Sequence, residues 1–336
     1  MNFFSRKNTI LFFTCSFLLF SCNRNPLKVD VKSIEVKPEI LRFDIDLFES
    51  KLNTLEAFKA KYGSFLPDYI YGIMGFEGDE KTAFNQLMMF KNDPNAKKVY
   101  EHTKEQFKDF TPYENEIKKA YQYFKYYYPE EVVPKIITYT SNFSFYINPV
   151  GQDYIGIGLD MHLGENFTPY KYAEIENYWH KILTPQTIVL HQILAHANDK
   201  FTRNISDNPT FLDKAIYEGK LLYFTDATLL DMKDNVKIGM SEKEYAWCLA
   251  EEQNIWNYFV TKKLIYESDS RKYTRFFKEG PKTIAEDMAE DAPPMLGKFI
   301  GWQIVRKYMT NKNPKLQDFM QNTNAAEILN DSKYKP

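Results

Sequence analysis

Two histidines on one short segment offer the clearest potential for chemistry in this chain. His191 and His196 both fall within residues 184–201. In the helical pattern His-Glu-x-x-His, two histidines one turn apart bind zinc and the glutamate between them serves as the base. Here Gln192 stands where the glutamate would be, and Ala195 stands where the second histidine would be. An amide does not titrate near neutral pH and a methyl group binds no metal, so two groups of that site are missing.

The segment that must position these histidines has the pattern of an amphipathic helix. Thr184 can cap the first free N–H groups, and Pro185 suits the first helical position. At about 100° per residue, His196 lies roughly 140° around the helix from His191, so the two imidazoles cannot easily share one ion. The apolar residues recur at helical spacing and predict one buried stripe: Leu190, Ile193, Leu194, Ala197 and Phe201.

Further candidate residues follow on neighbouring elements. Residues 208–230 predict a second helix that carries Glu218, either a solvated surface glutamate or a third ligand to a metal. Asp160 and His162 come at the end of a predicted strand, residues 152–160, and functional residues often follow strands. A hydrogen-bonded structural histidine is the alternative for His162. We therefore predict one cleft lined by five residues: His191, Gln192, His196, Glu218 and Asp160.

The N-terminus has the pattern of a lipoprotein signal. A basic start and the apolar residues 10–20 precede Ser21 and Cys22, which matches a bacterial lipobox. We expect residues 1–21 to be a signal peptide and Cys22 to carry acyl chains, palmitate among them, that anchor the protein to a membrane. Residues 22–40 are predicted to form a tether. The sequence after Cys22 lacks an acidic cluster, which favours the periplasmic side of the outer membrane.

The remaining chain predicts one α+β domain, residues 41–336, that is mainly α with a small β-sheet. The formal charge of −2 gives no indication of a nucleic-acid partner. Alternating apolar and polar residues predict a strand at 41–48. A β-rich composition predicts strands at 132–140 and 143–149, and residues 152–160 have the pattern of a buried strand. Helical periodicity predicts helices at 49–62, 65–74, 80–90, 97–110, 114–128, 184–201, 208–230, 241–267, 282–288 and 295–309.

Several short motifs occur together along the mature chain. They are the lipobox Cys22, Leu41-Arg42-Phe43-Asp44, Gly158-Leu159-Asp160, Tyr217-Glu218-Gly219-Lys220, Gly301-Trp302-Gln303 and the C-terminal Ser332-Lys333-Tyr334. In this order and spacing the chain resembles the GldB family of gliding-motility lipoproteins from Bacteroidetes. The resemblance implies a cell-envelope lipoprotein required for gliding, with other envelope or gliding-machinery proteins as its partners.

A looser similarity is to zincin-type predicted peptidases, and it implies a zincin-like helical scaffold. A catalytic zinc normally keeps three protein ligands and a water. The matched positions here supply only His191 and Glu218, unless His162 or His196 joins them. We therefore expect a non-catalytic protein without a metal or other cofactor, built on a degenerate peptidase-like scaffold. A zinc-dependent peptidase or hydrolase with an unusual ligand set is the alternative, and a glycan-binding protein is a third possibility.

Overall fold

The structure of this chain, a computed structural model, describes residues 25–49, 52–144 and 147–336. The predicted signal peptide and Cys22 lie outside the described residues. Among the helices of the described part, none is long and apolar enough to cross a membrane.

A small parallel sheet separates two hydrophobic cores. Its strands are β1 (Ile40–Arg42), β2 (Lys135–Tyr139) and β3 (Tyr154–Gly158), with β2 in the centre. Successive side chains of a strand point to opposite faces of the sheet. Ile136 accordingly packs into the larger core, whereas Ile137 packs into a smaller, aromatic one.

The prediction of a strand over residues 41–48 was wrong beyond its first two residues. The strand β1 ends at Arg42, and a helix, Phe43–Phe48, follows directly. Phe43 and Leu47 stand four residues apart and are both fully buried, so they share one face of this helix. The alternating sequence satisfies both periods, and packing into the aromatic core selected the helical one.

Seventeen α-helices make up most of the described chain. They are α1 (Phe43–Phe48), α2 (Leu55–Tyr62), α3 (Phe65–Pro67), α4 (Glu80–Asn92), α5 (Pro94–Gln106), α6 (Thr111–Tyr127), α7 (Pro169–Tyr172), α8 (Asn177–His180), α9 (Ile188–Phe201), α10 (Phe211–Thr228), α11 (Asp234–Ile238), α12 (Glu242–Ala250), α13 (Glu252–Thr261), α14 (Ser270–Tyr273), α15 (Leu296–Lys312), α16 (Leu316–Gln321) and α17 (Ala325–Ser332).

Other element predictions were partly right. The long helix expected over residues 241–267 is divided into α12 and α13, and residues 282–288 form no helix. Apart from residues 145 and 146, the region 143–149 contains no strand either. The helix predicted at 184–201 is confirmed, but it opens with a 3₁₀ turn, Pro185–Thr187, and the side chain of Thr184 makes no capping hydrogen bond. The mainly α, α+β class is confirmed, and the zincin-like scaffold stays a prediction.

The helices that carry the candidate residues pack tightly in the larger core. The helix α9 contacts α6, α10 and β3, while α10 packs along α15. Two glycines, Gly219 of α10 and Gly301 of α15, face each other at this crossing. A Cβ at Gly301 would lie 1.8 Å from the carbonyl oxygen of Ala215, so the two backbones touch here.

A partly buried ion-pair network fixes α10, α11 and α15 to one another. The carboxylate of Asp226 accepts hydrogen bonds from Lys237 Nζ at 2.9 Å, from Trp302 Nε1 at 2.9 Å and from two nitrogens of Arg306 at 2.8 Å. Arg306 also binds Asp234, at 2.7 Å. Because their charges are paired and hydrogen-bonded, Asp226 and Lys237 can remain buried.

The segment expected to be a tether lies against the domain in its described part. Val31 and Val36 are buried, and Leu27 and Ile34 pack beside the larger core. The amide of Gln122 donates a hydrogen bond to the carbonyl oxygen of Ile34 at 2.9 Å. Residues 27–36 therefore add to the packed domain.

Candidate functional site

The helix α9 directs its polar side chains to two different sides. His191 faces a cavity between α9, α10 and α15, whereas Gln192 and His196 face α6. The separation follows from the helical geometry, since residues five apart point in different directions. The predicted cleft of five residues is thus not assembled as expected: only His191 and Glu218 line the cavity, and Gln192, His196 and Asp160 lie elsewhere.

The cavity beside His191 has a volume of about 310 Å³. Its walls are mostly aliphatic, from Leu190, Leu194, Leu221 and Met295 among others. Its polar lining combines residues of four helices and one loop: His191 and Asn198 of α9, Glu218 of α10, Lys237 of α11, Lys298 of α15 and Glu279 of the loop before α15. Few polar groups in an apolar concave surface are the usual composition of a binding site.

A second histidine fixes the protonation pattern of His191. His162 Nδ1 lies 3.0 Å from the carbonyl oxygen of Gly158, and its Nε2 lies 3.2 Å from His191 Nδ1. A carbonyl oxygen only accepts, so His162 Nδ1 carries the proton and its Nε2 is an acceptor in the neutral ring. His191 Nδ1 must then donate. Neutral His191 is left with a lone pair on Nε2, the nitrogen that is not bonded to His162.

Both imidazoles are neutral near pH 7. Burial lowers the pKa of His162 to about 3, helped by the neighbouring His191. Burial lowers the pKa of His191 to about 4. Desolvation disfavours the charged imidazolium, so the tautomers derived from the hydrogen bonds hold over the whole neutral range.

A lysine and two glutamates form the charged wall of the cavity. Lys298 Nζ lies 2.9 Å from Glu279 Oε1 and 4.0 Å from Glu218 Oε2. Burial acts to lower the pKa of Lys298, but Glu218 and Glu279 outweigh it and hold the pKa above its usual value. Burial acts to raise the pKa of Glu279, and Lys298 brings it below its usual value. Lys298 and Glu279 are therefore a hydrogen-bonded ion pair, and Glu218 lies beside it.

Gln192 and His196 belong to a separate hydrogen-bonded chain. Gln192 Nε2 donates to the hydroxyl of Tyr121 at 2.6 Å, and this hydroxyl lies 2.9 Å from His196 Nδ1. His196 Nε2 lies 3.0 Å from Glu131 Oε1, and Lys200 binds the other carboxylate oxygen. The hydrogen bond from His196 and the contact with Lys200 overcome burial and lower the pKa of Glu131 to about 2. This chain joins α6 to α9 and plays a structural part.

Asp160 is held in a loop at the end of the sheet. Its Oδ2 accepts hydrogen bonds from the backbone N–H groups of Ser141 at 3.0 Å and Phe143 at 2.7 Å. Burial raises the pKa of Asp160 to about 6, although these two N–H groups act in the opposite direction. Asn142 and Phe143 both have positive φ, and this carboxyl group stabilises that unusual loop. Asp160 therefore shapes the loop and does not line the cavity.

In the described part of the chain, the geometry around His191 does not bring three zinc ligands together. His196 is turned toward Glu131, and His162 uses its free nitrogen to accept from His191. Within residues 25–49, 52–144 and 147–336, no group of three or more His, Cys, Asp or Glu side chains is arranged as a metal site. His191 and Glu218 are two potential ligands, one fewer than a catalytic zinc usually has from protein.

The sequence pattern did not identify Lys298 and Glu279 as residues of the candidate site. Lys298 lies about 80 residues after Glu218, and Glu279 lies in a loop, so neither spacing nor periodicity links them to His191. The close crossing of α10 and α15 brings them together.

A larger cavity, of about 710 Å³, opens beside Asp226 and Arg306 and is lined in part by Asn25 and Leu27. Four of the charged groups there, Asp226, Asp234, Lys237 and Arg306, already bind one another in the network of α10, α11 and α15.

Comparison with known proteins identifies the family. A family model described as gliding motility protein GldB matches residues 24–336. No curated protein and no solved structure gives a match. Because the match covers nearly the whole chain, the protein is a gliding-motility protein. The chain belongs to the GldB family, as its motifs suggested.

Proposed function

We propose that this protein is a non-catalytic, lipid-anchored component of the cell envelope that supports gliding by binding a partner protein. The partner would occupy the cavity lined by His191, Glu218 and Lys298. The observation that carries the proposal is this cavity, in which a few polar groups project from aliphatic walls. Gliding machinery as the setting follows from the family, and the partner is another protein of the envelope or of that machinery.

Anchoring through Cys22 would hold the domain close to the membrane. Asn25 is the first described residue and follows Cys22 by three positions. Since an extended chain spans at most about 3.6 Å per residue, Cys22 and Asn25 would lie within about 11 Å of each other. The packed residues 27–36 leave little further slack. We propose that the anchor inserts in the outer membrane and that the domain occupies the periplasm.

Complementation of cells that lack the protein tests the binding role. The variants His191→Ala and Glu218→Ala should fold and reach the membrane, yet restore surface spreading poorly. Their matched controls are His102→Ala and Glu290→Ala, which change exposed residues away from the cavity. Protein abundance in the membrane fraction is measured in parallel. Full spreading by both cavity variants would rule out this cavity as the partner site.

Metal content separates this proposal from the zinc hydrolase alternative. The mature protein, purified without chelator, is expected to contain less than about a tenth of an equivalent of zinc. Its melting temperature should not change when zinc is added, since a ligand stabilises only a state that binds it. About one equivalent of zinc, with chelation lowering both stability and hydrolysis of test peptides, would favour the enzyme.

A further inference from the structure

The cavity beside His191 presents two hydrogen-bond acceptors. The first is His191 Nε2, which keeps its lone pair because Nδ1 donates to His162. The second is the carboxylate of Glu218, whose nearest cation, Lys298 Nζ, is 4.0 Å away and is hydrogen-bonded to Glu279 instead. Two acceptors on facing helices favour a ligand group that donates several hydrogen bonds.

The charges that face the cavity favour a cation. Glu218 and Glu279 supply two carboxylates, whereas Lys298 supplies one ammonium group. Lys237 also borders the cavity, but its Nζ binds Asp226 on the other side. Lys214 acts on Glu279 from outside, where its Nζ lies over the ring of Phe277. An anionic ligand would face Glu218 and the lone pair of His191, and a neutral donor would leave Glu218 with only its contact to Lys298 at 4.0 Å.

The volume and the walls of the cavity indicate the size and polarity of the rest of the ligand group. A water molecule occupies about 30 Å³ of the liquid, so a cavity of about 310 Å³ has room for a single long side chain. The walls formed by Leu190, Leu194 and Leu221 would contact an apolar stem. A lysine side chain has this form, because its four methylene groups can be buried while the ammonium group meets polar partners.

We infer that this cavity binds the side chain of a lysine on the partner protein, with its ammonium group donating to His191 Nε2 and to the carboxylate of Glu218. The inference rests on the proposed function, since it names the chemical group by which the partner is recognised. The aliphatic stem lies against the leucines, and Lys298 stays paired with Glu279.

Binding of two small probes to the mature, acylated protein in detergent micelles tests the inference. Nα-acetyl-lysine amide carries the ammonium group, and Nα-acetyl-norleucine amide has the same stem without it. With ¹⁵N-labelled histidine, the Nε2 signal of His191 should be that of an unprotonated nitrogen and should shift saturably with the lysine probe at pH 7.5. We expect at least tenfold weaker binding of the norleucine probe. Equal binding of both probes, or a proton on His191 Nε2, would overturn the inference.

Two substitutions assign the acceptors while preserving the fold. Glu218→Gln removes the charge at constant size and should weaken the lysine probe at least tenfold, whereas the control Glu290→Gln should not change it. In His191→Asn the side-chain amide can still donate to His162 but offers no lone pair at the position of Nε2, so binding should fall several-fold. Unchanged affinity in Glu218→Gln would contradict the proposed contact.

The outcomes distinguish this inference from the proposed function. If Glu218→Ala abolishes spreading but the lysine probe does not bind, the cavity is the partner site and the ligand is not a lysine, which overturns the inference alone. If the lysine probe binds as expected and the cavity variants glide normally, the site stands as a lysine site and the proposed role in gliding fails.

Discussion

The contact between α10 and α15 makes a strong prediction about the substitution Gly301→Ala. The added Cβ would lie 1.8 Å from the carbonyl oxygen of Ala215 and 2.4 Å from its carbonyl carbon. An ordinary contact begins near 3.4 Å, so the helices would have to separate by about 1.6 Å at this point. Both atoms belong to the backbone of α10, which cannot move aside like the end of a flexible side chain.

The expected cost follows from the size of this separation. A gap of 0.5–1 Å already forfeits about a quarter to a half of the dispersion energy of the atoms involved. Overpacking a well-packed core costs about 1–3 kcal/mol and at times more. Alanine in place of glycine returns about 1 kcal/mol of helix propensity. Because the clash is between backbones, we expect a net loss of about 3 kcal/mol in the free energy of unfolding.

Urea denaturation of the mature protein measures this loss. With a slope near 3 kcal/mol per molar urea, the midpoint should fall by about 1 M. Gly72→Ala is the control, since nothing lies within 4 Å of a Cβ added there, and its midpoint should stay equal or rise. Gly219→Ala, whose Cβ would lie 2.4 Å from the backbone of Gly301, should behave like Gly301→Ala. A loss below about 1 kcal/mol in Gly301→Ala would refute the close approach of the two helices.

Three further predictions concern the ion pairs and the anchor. Asp226→Asn should lower the free energy of unfolding by about 3–5 kcal/mol, because it leaves Lys237 buried without a carboxylate; urea denaturation measures this, and a loss below about 1 kcal/mol would contradict it. Glu131 has a folded pKa of about 2, below its ordinary 4.5, so its stabilising contact with His196 is present above about pH 4.5 and is lost as the pH falls toward 2. The stability difference between the protein and Glu131→Gln should therefore shrink from pH 5 to pH 3, and a constant difference would argue against it. Cys22→Ser should move the protein from the membrane fraction to the soluble fraction, and continued membrane retention would exclude Cys22 as the anchor.

The sequence predicted the helices α9 and α10 well and the short elements less well. In α9 and α10 the apolar residues recur over several turns, so the helical period is distinct. Residues 41–48 are too short to separate a period of 2 from one of 3.6, and contacts with the aromatic core made most of them helical. Residues 282–288 carry helical spacing, but the chain there forms a loop. In this loop the backbone N–H of Thr283 donates a hydrogen bond to the carbonyl oxygen of Ala292.

The candidate site was only half predictable for a similar reason. His191 and Glu218 were identified because each resembles a position in a known helical pattern, and the structure brings both to one cavity. The angle between His191 and His196 was also a sequence prediction, and the structure places these residues on different sides of α9. That Gln192 binds Tyr121 could not be predicted, since it depends on how α6 packs against α9.

By itself the sequence determined the family, the mainly helical class and the broken metal pattern, because motifs, periodicity and residue identity are local properties of the chain. Only the tertiary structure decided which polar groups meet. The crossing of α10 and α15 at Gly219 and Gly301 places Lys298 beside Glu218, and the end of β3 places His162 against His191. Hydrogen bonds and ion pairs act over a few ångströms, so their partners depend on packing between segments that are far apart in the chain.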